Sequence, residues 1–178
     1  SVFDPSGDLE FIRTYRSNYV GSMIDDLEVL GHRWRHNWDE RLLRGTSDSH
    51  PSCGSTVRWI QADGRHIDFW IDEEGVPQVP DGAKYAIKEI DEWTIQLRHV
   101  NGTVREFEFE NGYYRLLKIT NGANELQFTY EDNRNALTGI VALRGLSPVT
   151  RLVIEYYPAV PATHQSNRIW RVKSGIDS

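Results

Sequence analysis

Three Asn-Gly pairs, at 101–102, 111–112 and 121–122, stand ten residues apart in this chain. Asn-Gly is the dipeptide that most readily adopts the positive φ angles of a tight hairpin turn. The intervening stretches Thr103–Phe109 and Tyr113–Ile119, and Glu125–Tyr130 beyond the third pair, are rich in β-branched and aromatic residues, which suit a pleated, half-buried surface. Turns at a constant step imply antiparallel strands of equal length laid side by side, a meander. Upstream, Asp63-Gly64 between Thr56–Ala62 and Arg65–Ile71 predicts a two-residue type I′ hairpin. Tyr85–Ile90 and Trp93–His99 pair around Asp91-Glu92, and Glu74–Ala83, with Pro77, Pro80 and two glycines, reads as an irregular connection.

Composition bounds the rest. Hydrophobic residues make up 39% of the 178, yet there are six Trp and eight Tyr, so the apolar surface is concentrated in a few large rings. The net charge of −6 has no basic block behind it, which argues against a nucleic-acid partner. The single cysteine, Cys53, cannot form an internal disulfide, and no apolar run reaches membrane-spanning length. The chain begins on Ser1, carries its one methionine at Met23 and closes on Ser-Gly-Ile-Asp-Ser. It therefore reads as a piece of a longer protein, with faces built to pack on neighbours.

Leu30–Leu42 is the densest stretch, holding Trp34, Trp38, a histidine pair, three arginines and an acidic doublet. Period two places Trp34, His36, Trp38, Glu40 and Leu42 on one face, and Arg33, Arg35, Asn37, Asp39 and Arg41 on the other. That pattern predicts one half-buried strand with its rings inward and a guanidinium row outward. Upstream, Leu9–Tyr15 alternates in the same way, and Ser17–Val29 and Gly45–Ser55 read as loops.

Two patterns here carry a family resemblance. Phe11, Arg13, Tyr15 and Ser17 fill "F-x-R-x-Y-x-S", and Leu30, Gly31, Trp34, His36, Trp38, Asp39, Glu40 and Leu42 fill "L-G-x-G-W-x-H-x-W/Y-D-E-x-L" with Arg33 in place of the glycine. Together they resemble the start of the β-shell in Rhs-type, YD-repeat proteins. Downstream, Leu116-x-x-Ile119…Leu126-x-x-x-Tyr130 is echoed by Leu137-x-x-Ile140…Leu152-x-x-x-Tyr156, and then by Arg168-Ile169-x-x-Val172. Tyr130 and Tyr156 are 26 residues apart, a longer step than the family's usual spacing of about twenty. The Tyr-Asp pair has become Tyr130-Glu131 and Tyr156-Tyr157.

The resemblance implies an all-β, antiparallel hairpin meander forming part of a larger shell. It divides the chain into an opening segment at 1–55, a hairpin meander at 56–112 and degenerate YD-like repeats at 113–178, in one continuous unit. It further implies a non-catalytic wall that encloses a C-terminal toxin, is exported by a bacterium and serves competition between cells. The expected partners are the rest of the shell, the enclosed toxin and, through open sheet edges, other copies of the chain. No cofactor or metal is expected. Structural anchors would be Phe11, Arg13, Tyr15, Trp34, His36, Trp38, Asp39, Glu40, Tyr130 and Tyr156.

His32 and His36 would share a metal on a helix, but on a strand they lie about 13 Å apart. Acid–base catalysis needs two carboxylates facing one cleft, which the sequence adjacency of Asp25-Asp26 does not provide, and the adjacent Asp39 and Glu40 point to opposite faces of their strand. Asp39 and Glu40 are expected to pair with nearby arginines such as Arg35 and Arg41, and Arg13, Arg35 and Asp39 to form an ion-pair layer. Cys53, near His50 and Pro51, reads as a surface thiol. The rival function is a secreted β-rich carbohydrate-binding module, with Trp59, Trp70 and Trp93 facing outward to stack on sugar rings.

Overall fold

Alternating apolar residues between turn formers give fourteen strands and, among the described residues, no helix. The computed structural model describes residues 9–15, 34–45, 55–72, 74, 76–110, 112–131, 136–156 and 169–175. The strands are β1 (Arg13–Tyr15), β2 (Trp34–His36), β3 (Arg41–Gly45), β4 (Ser55–Ile60), β5 (His66–Ile71), β6 (Pro77–Gln78) and β7 (Tyr85–Glu89). They continue with β8 (Thr94–His99), β9 (Val104–Glu110), β10 (Tyr113–Asn121), β11 (Asn124–Glu131), β12 (Ala136–Arg144), β13 (Ser147–Tyr156) and β14 (Ile169–Gly175). β1 and β2 form a ribbon, and the other twelve belong to an open antiparallel sheet. The chain divides into two compact units, residues 39–123 and residues 1–38 with 124–178. Within the 39–123 unit β3 pairs with both β4 and β10.

In the 39–123 unit the order is β6-β5-β4-β3-β10-β9-β8-β7. One face is apolar. A row of cross-strand neighbours runs through Phe109, Tyr114, Leu42, Trp59 and Ile67, and Ile95, Phe107 and Leu116 form the next. The other face carries a charge ladder: Arg58 with Asp68 at 2.7 Å, Lys118 with Glu106 at 3.3 Å and Arg115 with Glu108 at 3.6 Å. This division is what an antiparallel sheet with one covered face requires.

The unit's sheet is strongly curled. Trp59 on β4 and Tyr85 on β7 are five strand positions apart, about 24 Å across a flat sheet. Their ring centroids nevertheless lie 4.7 Å apart, edge to face. Arg44 on β3 likewise reaches Glu89 on β7 at 2.9 Å. The apolar face closes over itself, and Trp59, Phe69 and Phe107 fill it as its largest fully buried side chains. Among the described residues, no ladder joins β6 to β7, so the curl stays open.

The Gly turns differ in kind. Glu110 of β9 opposes Tyr113 of β10 in register, and Gly112 stands at φ 92°. Asp63-Gly64 and Asn101-Gly102 instead sit in three-residue loops. The Gly64 N–H donates to the Gln61 carbonyl and the Gln61 N–H to the Arg65 carbonyl, and Gly102 and His99 repeat this with His99 and Thr103. That is a turn followed by one left-handed glycine, not the predicted two-residue form. Gly122 lies in the loop between β10 and β11, which leaves Asn121 inside β10. The three strands are therefore seven, nine and eight residues long rather than equal.

In the other unit β11, β12, β13 and β14 pair in sequence. Leu126, Phe128, Ile140, Ala142, Leu152 and Ile154 are buried on one shared face. The β1–β2 ribbon pairs Arg13 with His36 and Tyr15 with Trp34.

The stretch 34–42 corrects the sequence reading. It is not one strand: β2 stops at His36, a turn covers Asn37 and Trp38, and β3 starts at Arg41. Asn37 causes the break. Its main-chain N–H donates to the Ile12 carbonyl, its Oδ1 accepts from the Ile12 N–H, and its Nδ2 donates to the Glu10 carbonyl. A side chain that satisfies the neighbouring strand's backbone in this way ends the pairing. The outward guanidinium row also fails, since Arg35 and Arg41 are 6% and 3% exposed.

Candidate functional site

Glu40 occupies the interior of the curled sheet. It precedes β3 by one residue and shares the phase of Leu42, so its side chain enters the closed face with 10% of it exposed. Its Oε2 accepts from Trp59 Nε1 at 3.1 Å and from Arg105 Nε at 3.0 Å. The Arg105 guanidinium also lies 5.4 Å from the centroid of the Trp59 ring, a cation–π arrangement. Burial pushes the Glu40 carboxyl above its usual range, against the opposing pull of Arg105 and the Trp59 hydrogen bond. Three strands are thus pinned by one carboxylate.

Asp39 takes the opposite direction and bonds Arg41 at 2.6 Å. Arg41 in turn lies 5.5 Å from the Tyr113 ring centroid. The Tyr113 hydroxyl is pushed up by burial, with Arg41 opposing. The two adjacent carboxylates therefore serve separate cations on separate faces. The expected Asp39–Arg41 pairing forms, whereas the partner of Glu40 is an arginine 65 residues away.

The ribbon anchors assemble within their own unit. Phe11 packs on His36 with centroids 5.2 Å apart, and His36 Nδ1 accepts from the Trp38 N–H at 3.2 Å. Trp38 is half-buried; its ring lies 5.7 Å from Phe128 and its Nε1 donates to the Glu10 carbonyl. Arg13 is exposed. The side chains of Tyr15 and Trp34 lie outside the described residues, as do His32, His50, Cys53 and Asp25-Asp26.

The repeat tyrosines share one local feature. The register slips between Thr129 and Tyr130 and again between Glu155 and Tyr156, so each follows a bulge. Tyr130 is the register partner of Leu137, and the Tyr156 hydroxyl donates to the Leu137 carbonyl at 2.9 Å. Both units of the repeat meet at this one residue.

The three tryptophans proposed for sugar stacking separate. Trp59 faces inward at 1% exposure, covered by Tyr85 and Arg105, which corrects its expected outward placement. Its strand lies inside the curl, and nothing local in the sequence reveals a curl. Trp70 is half-buried on the charged face, in phase with Arg58 and Asp68. Trp93 is 54% exposed at the rim, with its ring 5.9 Å from Phe109 and its carbonyl accepting from the Phe109 N–H at 2.7 Å.

Arg105 and Tyr85 complete the site around Glu40 and Trp59 and are absent from the residues expected from sequence. Arg105 had a readable signal: it stands in phase with Phe107 and Phe109, a cation on the apolar side of its strand. Among the described residues, no group of three or more His, Cys, Asp or Glu is gathered in a way that could hold a metal, and no helix is long and apolar enough to cross a membrane.

No curated protein matches this chain. A family model described as a domain of unknown function, DUF6531, matches residues 2–69, and the matched span contains both halves of the Phe11–Ser17 and Leu30–Leu42 pattern.

Proposed function

We propose that this chain is a structural section of an Rhs-type, YD-repeat β-shell, whose job is to help enclose a C-terminal toxin until it is delivered outside the producing cell. The observation that carries this reading is the use made of the chemically able residues. Glu40, Trp59 and Trp38 spend polar atoms linking separate segments of the chain, and Asp39 and His36 spend theirs on neighbours two residues away. The bulged repeat tyrosines and the hairpin order fit a wall built by stacking like units, where each gains stability from its neighbours. The rest of the shell and the cargo are the partners in this reading, and no cofactor takes part.

The test is protease digestion of the parent polypeptide. A wall protects the enclosed domain in the intact protein and exposes it when Glu40→Ala or Trp59→Ala opens the curl. Cargo digested equally fast in parent and variants would refute enclosure.

A second reading keeps one supporting observation. Trp93 presents half of its indole at a rim flanked by exposed Asp91 and Glu92, an arrangement suited to stacking on a sugar whose hydroxyls the carboxylates accept. A glycan array decides it: a hit that disappears in Trp93→Ala favours a carbohydrate-binding module.

A further inference from the structure

β14 stands last in the strand order of its unit, paired to β13 from Arg151–Gly175 through Tyr156–Ile169. Among the described residues no strand lies on its other side. Residues 171–175 are all exposed, and a seven-residue strand offers about 24 Å of open backbone edge. The register resolves its two faces. On one, Glu155 opposes Arg171 and Val153 opposes Lys173; on the other, buried Ile154 opposes Val172, which is still 38% exposed. Glu155 accepts from Arg171 Nε at 3.0 Å and from Lys173 Nζ at 2.6 Å. The open edge thus carries two cations, Arg171 and Lys173, on one face, and Val172 and Ser174 on the other.

The same chain shows how such a strand is flanked. β10 presents Arg115 and Lys118, and β9 beside it supplies Glu108 at 3.6 Å and Glu106 at 3.3 Å. Phe107 and Phe109 alternate with these glutamates and extend the apolar face. We propose that the β14 edge receives one further strand of the β9 kind, in which carboxylates alternate with apolar residues. The carboxylates meet Arg171 and Lys173, and the apolar residues cover Val172. This rests on the wall reading and names the chemistry of the next section of wall.

A second copy of β14 is the wrong occupant. Two antiparallel β14 edges would oppose arginines and lysines, and like charges across a strand pair destabilise it. The molecule's own β9 is already paired on both sides, to β8 and β10.

The experiment adds capped seven-residue peptides to the whole chain and follows backbone amide shifts. A peptide alternating valine with glutamate should shift residues 171–175 saturably and bind at least about tenfold more tightly than its valine–lysine counterpart, a difference of ~1.4 kcal/mol. Lys173→Glu should reverse the preference, and Lys173→Ser should weaken it. Equal responses to both peptides, shifts confined to other strands, or no response would overturn the proposal. So would concentration-dependent dimerisation that shifts the same amides without peptide. Protected cargo with a silent edge refutes only this inference, whereas unprotected cargo with a responsive edge refutes only the wall.

Discussion

Removing the Glu40 carboxylate is the most informative single change. Glu40→Ala leaves the Arg105 guanidinium without the ion pair it makes at 3.0 Å and the Trp59 indole N–H without its acceptor. Breaking a buried pair by deleting one partner costs about 3–5 kcal/mol. Arg105 keeps 20% of its side chain exposed, so water recovers part of that and the lower end applies. Trp59 is 1% exposed, and an unmet buried donor adds about 1–3 kcal/mol. The two costs share one cavity, so roughly 4 kcal/mol is expected in total, a fall in Tm on the order of 8–16 °C for a chain of this size. The assay is a double-mutant cycle by urea unfolding, with Glu40→Ala, Arg105→Leu and the pair. Removing both charges should recover about 2 kcal/mol relative to the sum of the singles. Additive effects, or a Glu40→Ala protein that melts like the parent, would refute the claim that this carboxylate pins the curl.

Four further outcomes follow from the same geometry. Trp59→Ala should cost about 3–5 kcal/mol by denaturant unfolding, whereas half-exposed Trp93→Ala should stay within about 0.5 kcal/mol. Arg41→Ala should cost more than about 2 kcal/mol, because a 3%-exposed guanidinium bonded to Asp39 is not a surface charge; a loss under 0.5 kcal/mol would contradict its burial. Gly112→Val should lose at least about 1 kcal/mol in a thermal melt, since Gly112 sits at φ 92° and no steric neighbour contributes. The Glu40 carboxyl is raised in the fold, so its protonated form contributes stability that is fully present below pH 4.5 and lost as pH rises through the folded value and the group ionises. Urea titrations across pH should therefore show Glu40→Gln gaining on the parent as pH rises, and an opposite slope would reverse the sign assigned to burial.

The meander was legible because its determinants are local. An Asn-Gly or Asp-Gly pair between alternating residues needs no distant information, and β4–β5 and β9–β10 formed where expected. The turn type was not legible, since the loop length depends on which residues of the two strands oppose each other. The Gln61–Arg65 hydrogen bonds, not Asp63-Gly64, set the loop at three residues. The 34–42 stretch misled for a related reason: its period-two pattern continues through the turn at Asn37-Trp38, although Asn37 is captured by Glu10 and Ile12, about 25 residues earlier. The burial of Arg41 depends partly on a partner no local window contains, the Tyr113 ring, although its bond to Asp39 is local.

The curl explains why polar residues stand at the centre of an apolar face. A sheet that folds over itself brings β4, β7 and β9 together, strands whose order in the sheet gives them no shared ladder. Rings alone would tolerate several slides of one half over the other, because hydrophobic contact is not directional. A carboxylate that must meet one indole N–H and one guanidinium fits a single arrangement. Glu40 thus supplies register to the closure at some cost in desolvation, which its raised pKa reports. Replacing Glu40, Trp59 and Arg105 together by leucine tests this directly. A protein of near-parental stability but broadened amide resonances along β4, β7 and β9 is expected; sharp, single resonances would mean that the rings fix the closure without the carboxylate.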